Sequence, residues 1–464
     1  LRLHTKLAGE TGGEVVGYIP ELLKARPEWF GISIATVDEA VYSIGEADLP
    51  FTIQSVSKPY LYGYALREYG REFVLDHIGV EPTGEAFNAI VLDEVNNRRF
   101  NPMVNAAAMA VAELMKGERA DERRQNMRHL FAQVAGHPLS VNDSGFRSEH
   151  ATGRRNRGVA YMMLNSGMTK HDPEEILDLY FQQCSINVTC DHLAIMAATP
   201  ANDGIIPKTG EAVLRSGNVR HVLTVMNSCD MYNYAGQWTY EVGIPAKSSV
   251  SGAIMAVIPG QLGIGVYSHP VDIHGNSIRG VRVYQEISDE FSLHVFNNRT
   301  NVRSVIRREY RCDVVNSKRL RRSCGREVLK RERKRIVVLE LRGALFLGSV
   351  ERRIRRVNAL ASEADHVVID FKRVNLPDDA ATKLVQRMAT SLMPLESDVL
   401  MTHLGAADAL SDLHQQMAAF EEAGGVRLFR DTDSALEWCE DRLLAEQPDV
   451  ADRTKFALAQ LNIF

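Results

Sequence analysis

The chain has 464 residues, 45% of them hydrophobic and 24% charged, with a formal net charge of -5. That length can bury a large core and favours two or three domains, while the acidic balance gives no reason to expect nucleic acid as the main partner. No apolar run reaches the roughly 20 residues of a membrane-spanning helix, which argues against a membrane protein. The opening "LRLHTKLAGETGGEV" lacks the apolar centre of a secretory signal. Six cysteines (Cys184, Cys190, Cys229, Cys312, Cys324, Cys439) show neither disulfide-scaffold nor C-x-x-C spacing, which fits a reducing cytoplasm.

In chain order, "FGISIATVD" and "EAVYSIGE" read as antiparallel strands. Helical stretches follow, from "PYLYGYALREYG" to "PEEILDLYFQQC". "IPAKSSVSGAI" reads as an edge strand, and "AIMAVIPGQLGIGVYS" as two strands turning at Pro259 and Gly260. Strands at both ends of a helical middle imply one sheet made from the two ends of residues 1–300. From Arg299 to Ile336 the chain is densely basic; apolar residues such as Val305, Ile306, Val328 and Leu329 interrupt the charges, so residues 301–334 read as a solvated helical connector rather than an anion-binding patch. Beyond it "RIVVLELRG", "DHVVIDFKRV", "SDVLMTHLG" and "GVRLFR" are short strands alternating with helical runs, the pattern of a small βα domain over 335–447. Asp431, Thr432 and Asp433 supply capping residues for the helix that follows "GVRLFR". Residues 448–464 are left as a tail.

Chemistry concentrates around "FTIQSVSKPY", where Ser55 and Lys58 stand three residues apart. A serine hydroxyl needs a base within reach, and a neutral lysine one turn away supplies it. Burial and a second cation would hold Lys58 partly unprotonated; Lys247 in "AKSSVSG" offers that cation. An S-x-x-K paired with a later strand carrying K-[ST]-G is the arrangement of the penicillin-recognising serine hydrolases, with Ser249 here in place of the glycine.

The segments "GVEPTGEAFNAIV", "NPMVNAAAMAV", "SEHATGRRNRGVAYMM", "LDLYFQQCSINVTCDHLAIMAATPANDG", "CDMYNYAGQWTYEVGIPAKSSVSG" and "GNSIRGV" occur in this order. Over residues 10 to 300 the chain resembles the serine-dependent glutaminases. The resemblance implies an α+β fold in which a β-lactamase/DD-peptidase-like catalytic domain, an antiparallel sheet with a helical cluster, precedes the small α/β domain. It implies hydrolysis of L-glutamine to L-glutamate and ammonia, with Ser55 as nucleophile and Lys58 as general base. Asn105, Glu149, Asn156 and Tyr180 then match the positions that hold glutamine, and Tyr232 and Val250 the remaining active-site positions. An amino-acid substrate needs one anion for its ammonium, neutral amide donors and an oxyanion hole; Glu149, the two asparagines, and the backbone N–H groups of Ser55 and Val250 fit those parts. Either Tyr232 or Lys58 is the candidate base for deacylation. No histidine pair has metal-ligand spacing, and the implied chemistry needs neither metal nor cofactor. Three departures stand out: "VNAAA" for Asn-Ala-Gly-Ala, "KSSVSG" for Lys-Ser-Gly-Val-Gly-Gly, and Asn233 where an acid is common. Side chains at Ser249 and Ser251 could narrow the pocket.

Two other readings compete: a penicillin-type serine hydrolase or peptidase acting on a larger substrate, and a catalytically weak scaffold. Glu149 and the paired asparagines argue against the first, and the intact Ser55 and Lys58 against the second. "VVIDFKRVNLPDDAATKLV" and "VRLFRDTDSALEWCEDRLL" resemble the STAS domain. Such domains often carry a phosphorylatable Ser or Thr after the second strand; here the turn reads Asp378, Asp379, Ala380, Ala381. The resemblance therefore implies a docking, oligomerisation or ligand-sensing module, with a protein or small-ligand partner, rather than a phospho-switch. These glutaminases usually associate, so a dimer or tetramer is expected.

Overall fold

The computed structural model describes residues 1–86, 88–89, 98–297, 306–345, 355–377, 383, 385–387, 389–390, 397–406, 410–422 and 425–447. The chain divides into two compact units, Leu1–Asn297 and Asn298–Phe464. The turn at Asp378–Ala381 and the tail 448–464 lie outside the described residues.

In the first unit the strands β1 (Phe30–Thr36), β2 (Val41–Gly45), β3 (Phe51–Thr52), β4 (Asn187–Val188), β5 (Ala246–Ser248), β6 (Ala253–Ile258) and β7 (Leu262–Ser268) follow in chain order. Five of them form one antiparallel sheet in the order β2-β1-β7-β6-β5, while β3 and β4 pair apart. The sheet thus joins the two ends of the unit. Between them run the helices, after a first short α1 (Arg2–Leu7): α2 (Lys58–Tyr69), α3 (Arg71–His77), α4 (Asn105–Glu113), α5 (Ala120–Ala135), α6 (Asp143–Thr152), α7 (Arg154–Asn165), α8 (Pro173–Cys184), α9 (Cys190–Ala201), α10 (Ser216–Cys229) and α11 (Ala235–Glu241); α12 (Ile278–Phe291) closes the unit.

Strands β6 and β7 are buried along their whole length, because helices cover both faces. On one face Gly263 and Gly265 of β7 lie against the backbone of α9; a Cβ built on Gly263 would sit 2.4 Å from Ala198 N and 2.5 Å from Ala194 O. Glycine here is a close-approach residue. On the other face Gly280 of α12 packs against Ile254, and the Tyr284 hydroxyl donates to the carbonyls of Ile254 (2.9 Å) and Ile264 (3.0 Å). Helix α2 is the opposite of an amphipathic surface helix: every residue from Lys58 to Leu66 is buried, as expected for a helix enclosed by others. It lies in the large apolar cluster that also takes in Met109, Phe131, Phe181 and Met226 from α4, α5, α8 and α10.

The second unit is built on one five-stranded sheet, β12-β11-β10-β9-β8, from β8 (Ile306–Arg311), β9 (Ile336–Leu345), β10 (His366–Pro377), β11 (Asp398–Thr402) and β12 (Arg427–Phe429). β8 and β9 are antiparallel and the rest parallel. The basic block differs from the connector expected of it. Ile306–Arg311 is the edge strand β8, and α13 (Ser323–Glu332) packs on the Thr432–Ala445 helix. The reason is charge pairing with that helix. Its Glu440, 1% exposed, accepts Ser317 Oγ at 2.6 Å and lies 2.7 Å from Arg333 and 3.2 Å from Arg321, while Glu437 and Asp441 pair with Arg319. A carboxylate this deep is tolerated only with such partners. Asp431 caps the same helix by accepting Ser434 N–H at 2.9 Å.

The α9–β7 contact makes a simple prediction. Gly263→Ala should destabilise the first unit by about 2 kcal/mol, an overpacking cost, read as a lower midpoint in thermal unfolding; an unchanged midpoint would mean that α9 moves away freely.

Candidate active site

The site begins where β3 ends. Pairing of Phe51 with Val188 and donation of Ile53 N–H to Ile186 O (2.8 Å) fix the entry of a short 3₁₀ turn, Gln54–Ser57. Gln54 takes a left-handed backbone, φ 49°, an unfavourable conformation for a non-glycine residue that is held by its surroundings. Ser57 Oγ donates to Gln54 O (2.6 Å) and accepts Gln183 Nε2 (2.7 Å), tying the turn to α8. Ser55 and Lys58 therefore sit i and i+3 across a 3₁₀ turn, whose side chains eclipse, with Lys58 opening α2.

Lys58 is 2% exposed and donates to Met103 O at 2.9 Å and to Asn105 Oδ1 at 2.8 Å. Burial pushes its ammonium down to about 7, helped by the charge on Lys247 and opposed by Cys184 and Asp230. Asn105 Oδ1 also accepts the Tyr180 hydroxyl at 3.1 Å, which leaves its amide Nδ2 to donate to Asn156 Oδ1 at 2.9 Å. That sequence of bonds fixes both amides, so Asn156 Nδ2 is the free end of the chain as a donor. Glu149, 5% exposed, accepts Gln54 Nε2, and burial raises its carboxyl to about 8.

Ser55, Asn105, Glu149, Asn156, Tyr180 and Val250 line one cavity of about 380 Å³, within the usual range for small-molecule sites. Tyr232 and Lys247 stand beside it. The Tyr232 hydroxyl donates to Ser248 O at 3.0 Å and is within hydrogen-bonding reach of Ser55; burial raises its phenol well above the usual range. Met231 and Tyr232 both have positive φ, 62° and 61°. Lys247 is wholly buried against Asp230.

Sequence reasoning missed Gln54, Tyr18 and Cys184 in the wall, and Asp230 behind it. Asp230 left only a weak signal, an acid between Cys229 and Met231 in "NSCDMY"; Tyr18 left none. The two added serines do not reach the cavity. Ser249 Oγ and Ser251 Oγ bond each other at 2.8 Å, and neither lines it. Asn233 is exposed and bonds His274 at 3.0 Å. Among the described residues no group of three or more His, Cys, Asp or Glu is placed to hold a metal, and no helix is long and apolar enough to cross a membrane.

An antiparallel sheet with an inserted helical cluster, carrying a Ser-x-x-Lys turn beside a cavity with a buried carboxylate, defines the class as an α+β protein with an enclosed small-molecule site. The glutaminase family model matches residues 13–296, and the chain belongs to the glutaminase family and is a glutaminase. It is 53% identical over 294 residues to a glutaminase of Trichormus variabilis, covering 63% of this chain and 88% of that one. It is 41% identical over 448 residues to glutaminase 2 of Bradyrhizobium diazoefficiens, covering 95% and 70%. Among solved structures, that of Mglu superposes with a TM-score of 0.64 at 35% identity, covering 86% of this chain and 96% of that one.

The serine pair yields a prediction. A Ser249→Gly, Ser251→Gly variant should lose about 1 kcal/mol of stability to backbone entropy while glutamine turnover stays within about threefold of the parent; a large gain in turnover would show that the hydroxyls obstruct the pocket after all.

Proposed function

We propose that this glutaminase works through a γ-glutamyl ester on Ser55. The observation that carries the reading is the convergence of Ser55, Asn105, Glu149, Asn156, Tyr180 and Val250 on one cavity. Neutral Lys58 has two N–H groups, and bonds to Met103 O and Asn105 Oδ1 account for both. Its lone pair is then left for the Ser55 proton. Ser55 Oγ attacks the γ-carboxamide carbon, and the oxyanion is met by the backbone N–H groups of Ser55 and Val250, a contribution typically of about 3 to 4 kcal/mol per donor. Collapse breaks the C–N bond, and the nitrogen leaves as ammonia with the proton held by Lys58 or Tyr232. Water, deprotonated by the same group, then hydrolyses the ester to L-glutamate. Lys247 exchanges no proton with substrate in this scheme; it acts as the second cation beside Lys58.

Glu149 pairs with the α-ammonium of glutamine, while the Asn156 Nδ2 left over by the Asn105 bond donates to its carboxylate, with Tyr180 holding Asn105 in place. Mglu has been crystallised in a glutamate form, which supports an amino-acid pocket in this fold. A buried Glu149 reserved for a free ammonium disfavours a peptidase acting on acylated amines.

The second unit reads as a STAS-like module for docking, association or sensing of a small ligand, a reading supported by its antiparallel β8–β9 pair continued by parallel strands. We place the protein in the cytoplasm as a dimer or tetramer; light scattering of the full chain at micromolar concentration tests the association, and a monomer would overturn it.

Ser55→Ala and Lys58→Ala should each lower kcat on glutamine by at least about 1,000-fold, and Glu149→Gln should raise KM by about 100-fold, the loss of one buried charged partner. The pH dependence has a definite sign. Lys58 must be neutral, so kcat rises with pH through about 7. Glu149, whose carboxyl burial raises to about 8, must release its proton to pair with the ammonium, so KM falls as pH rises to that point. A KM that stays flat across this range would remove Glu149 from the ammonium site.

A further inference from the structure

Behind the nucleophile lies a charge pair of which the reaction scheme uses only the cation, Lys247, and leaves Asp230 without a role. Asp230 is 1% exposed and Lys247 0%. The Lys247 ammonium donates to Asp230 Oδ1 and, at 2.7 Å, to Ser248 O, and it sits 4.8 Å from the centre of the Tyr232 ring. Those contacts occupy the three directions of a charged ammonium. Asp230 Oδ2 accepts the Ser248 N–H at 2.7 Å, and the Tyr232 hydroxyl donates to the Ser248 carbonyl at 3.0 Å. Both backbone groups of Ser248, on the edge strand β5, are therefore satisfied by side chains of residues 230 and 232. Two residues further along the chain is Val250.

We propose that Asp230 is a positioning residue of the reaction: with Lys247 it locks the Ser248–Val250 backbone and the Tyr232 ring around Ser55, and the same two buried charges act on Lys58. The proposal rests on Lys58 being the base for Ser55. The groups facing Lys58 are Asn105 of α4, Tyr180 and Cys184 of α8, and Lys247 and Asp230 on the β5 side. Lys247 lowers the proton affinity of Lys58 and Asp230 raises it, the lysine having the larger effect.

The test compares pH profiles of kcat, together with circular dichroism as a check of folding, for the wild type, the double variant Lys247→Met with Asp230→Asn, and the single variants Asp230→Asn and Asp230→Ala. The double variant leaves no lone charge buried and so keeps the test available if a single variant fails to fold. Its acid limb should move to higher pH by roughly one unit; a folded double variant whose limb coincides with the wild type overturns the electrostatic role. Asparagine keeps an acceptor for the Ser248 N–H and alanine does not. Asp230→Ala should therefore fall at least about tenfold below Asp230→Asn in kcat, with the loss in kcat rather than KM; equal rates overturn the positioning role. Acid quench and intact-mass measurement of the γ-glutamyl ester keep the two levels apart. If the wild type forms no ester on Ser55, the underlying scheme fails; if the ester forms and the limbs coincide, only the role of the pair fails.

Discussion

A lysine buried at the heart of a folded domain is the constraint around which the first unit is organised. Desolvation of the Lys58 ammonium is expensive, and the protein meets it by lowering proton affinity rather than by an adjacent carboxylate: two neutral acceptors, Met103 O and Asn105 Oδ1, receive its hydrogens. The same bonds orient Asn105, and through it Asn156 and Tyr180. One buried amine thus fixes the directions of three other side chains in the site.

A deep ion pair nearby, Lys247 with Asp230, satisfies the edge strand at Ser248. It also places a positive charge close enough to influence Lys58 without bonding to it. Glu149 is at the other extreme. It is buried beside the neutral amide of Gln54, and burial raises its carboxyl to about 8. Lys58, the Lys247–Asp230 pair and Glu149 are thus buried with three different compensations around one small cavity, the clustering of perturbed groups expected of a functional site.

The second unit solves a related problem with arginine. Glu440 is deeper than most carboxylates and is held by Ser317, Arg321 and Arg333. Those partners come from the basic block that composition alone assigns to a linker. Val328 and Leu329 among the charges were the legible sign of packing, since both are buried in α13, but the acidic helix face that receives the charges lies more than a hundred residues away.

Much of the molecule can be read from its residues. Strand runs such as "FGISIATVD" and "AIMAVIPGQLGIGVYS" mark β1, β6 and β7 because apolar, β-branched sequence with turn residues at Pro259 and Gly260 has few alternatives. The ordered segments around Ser55, Asn105, Glu149, Asn156, Tyr180, Tyr232 and Val250 mark a site before any of them is placed, and the family follows from those segments alone. Tertiary structure decides the rest. It determines that Ser249 and Ser251 turn toward each other instead of into the pocket, that Asp230 closes the edge at Ser248, that Gly263 is needed for α9 to approach, and that the basic block belongs to a fold. Each of these depends on what faces a side chain from another part of the chain, and local sequence, which sets conformation and polarity, carries no record of that distance.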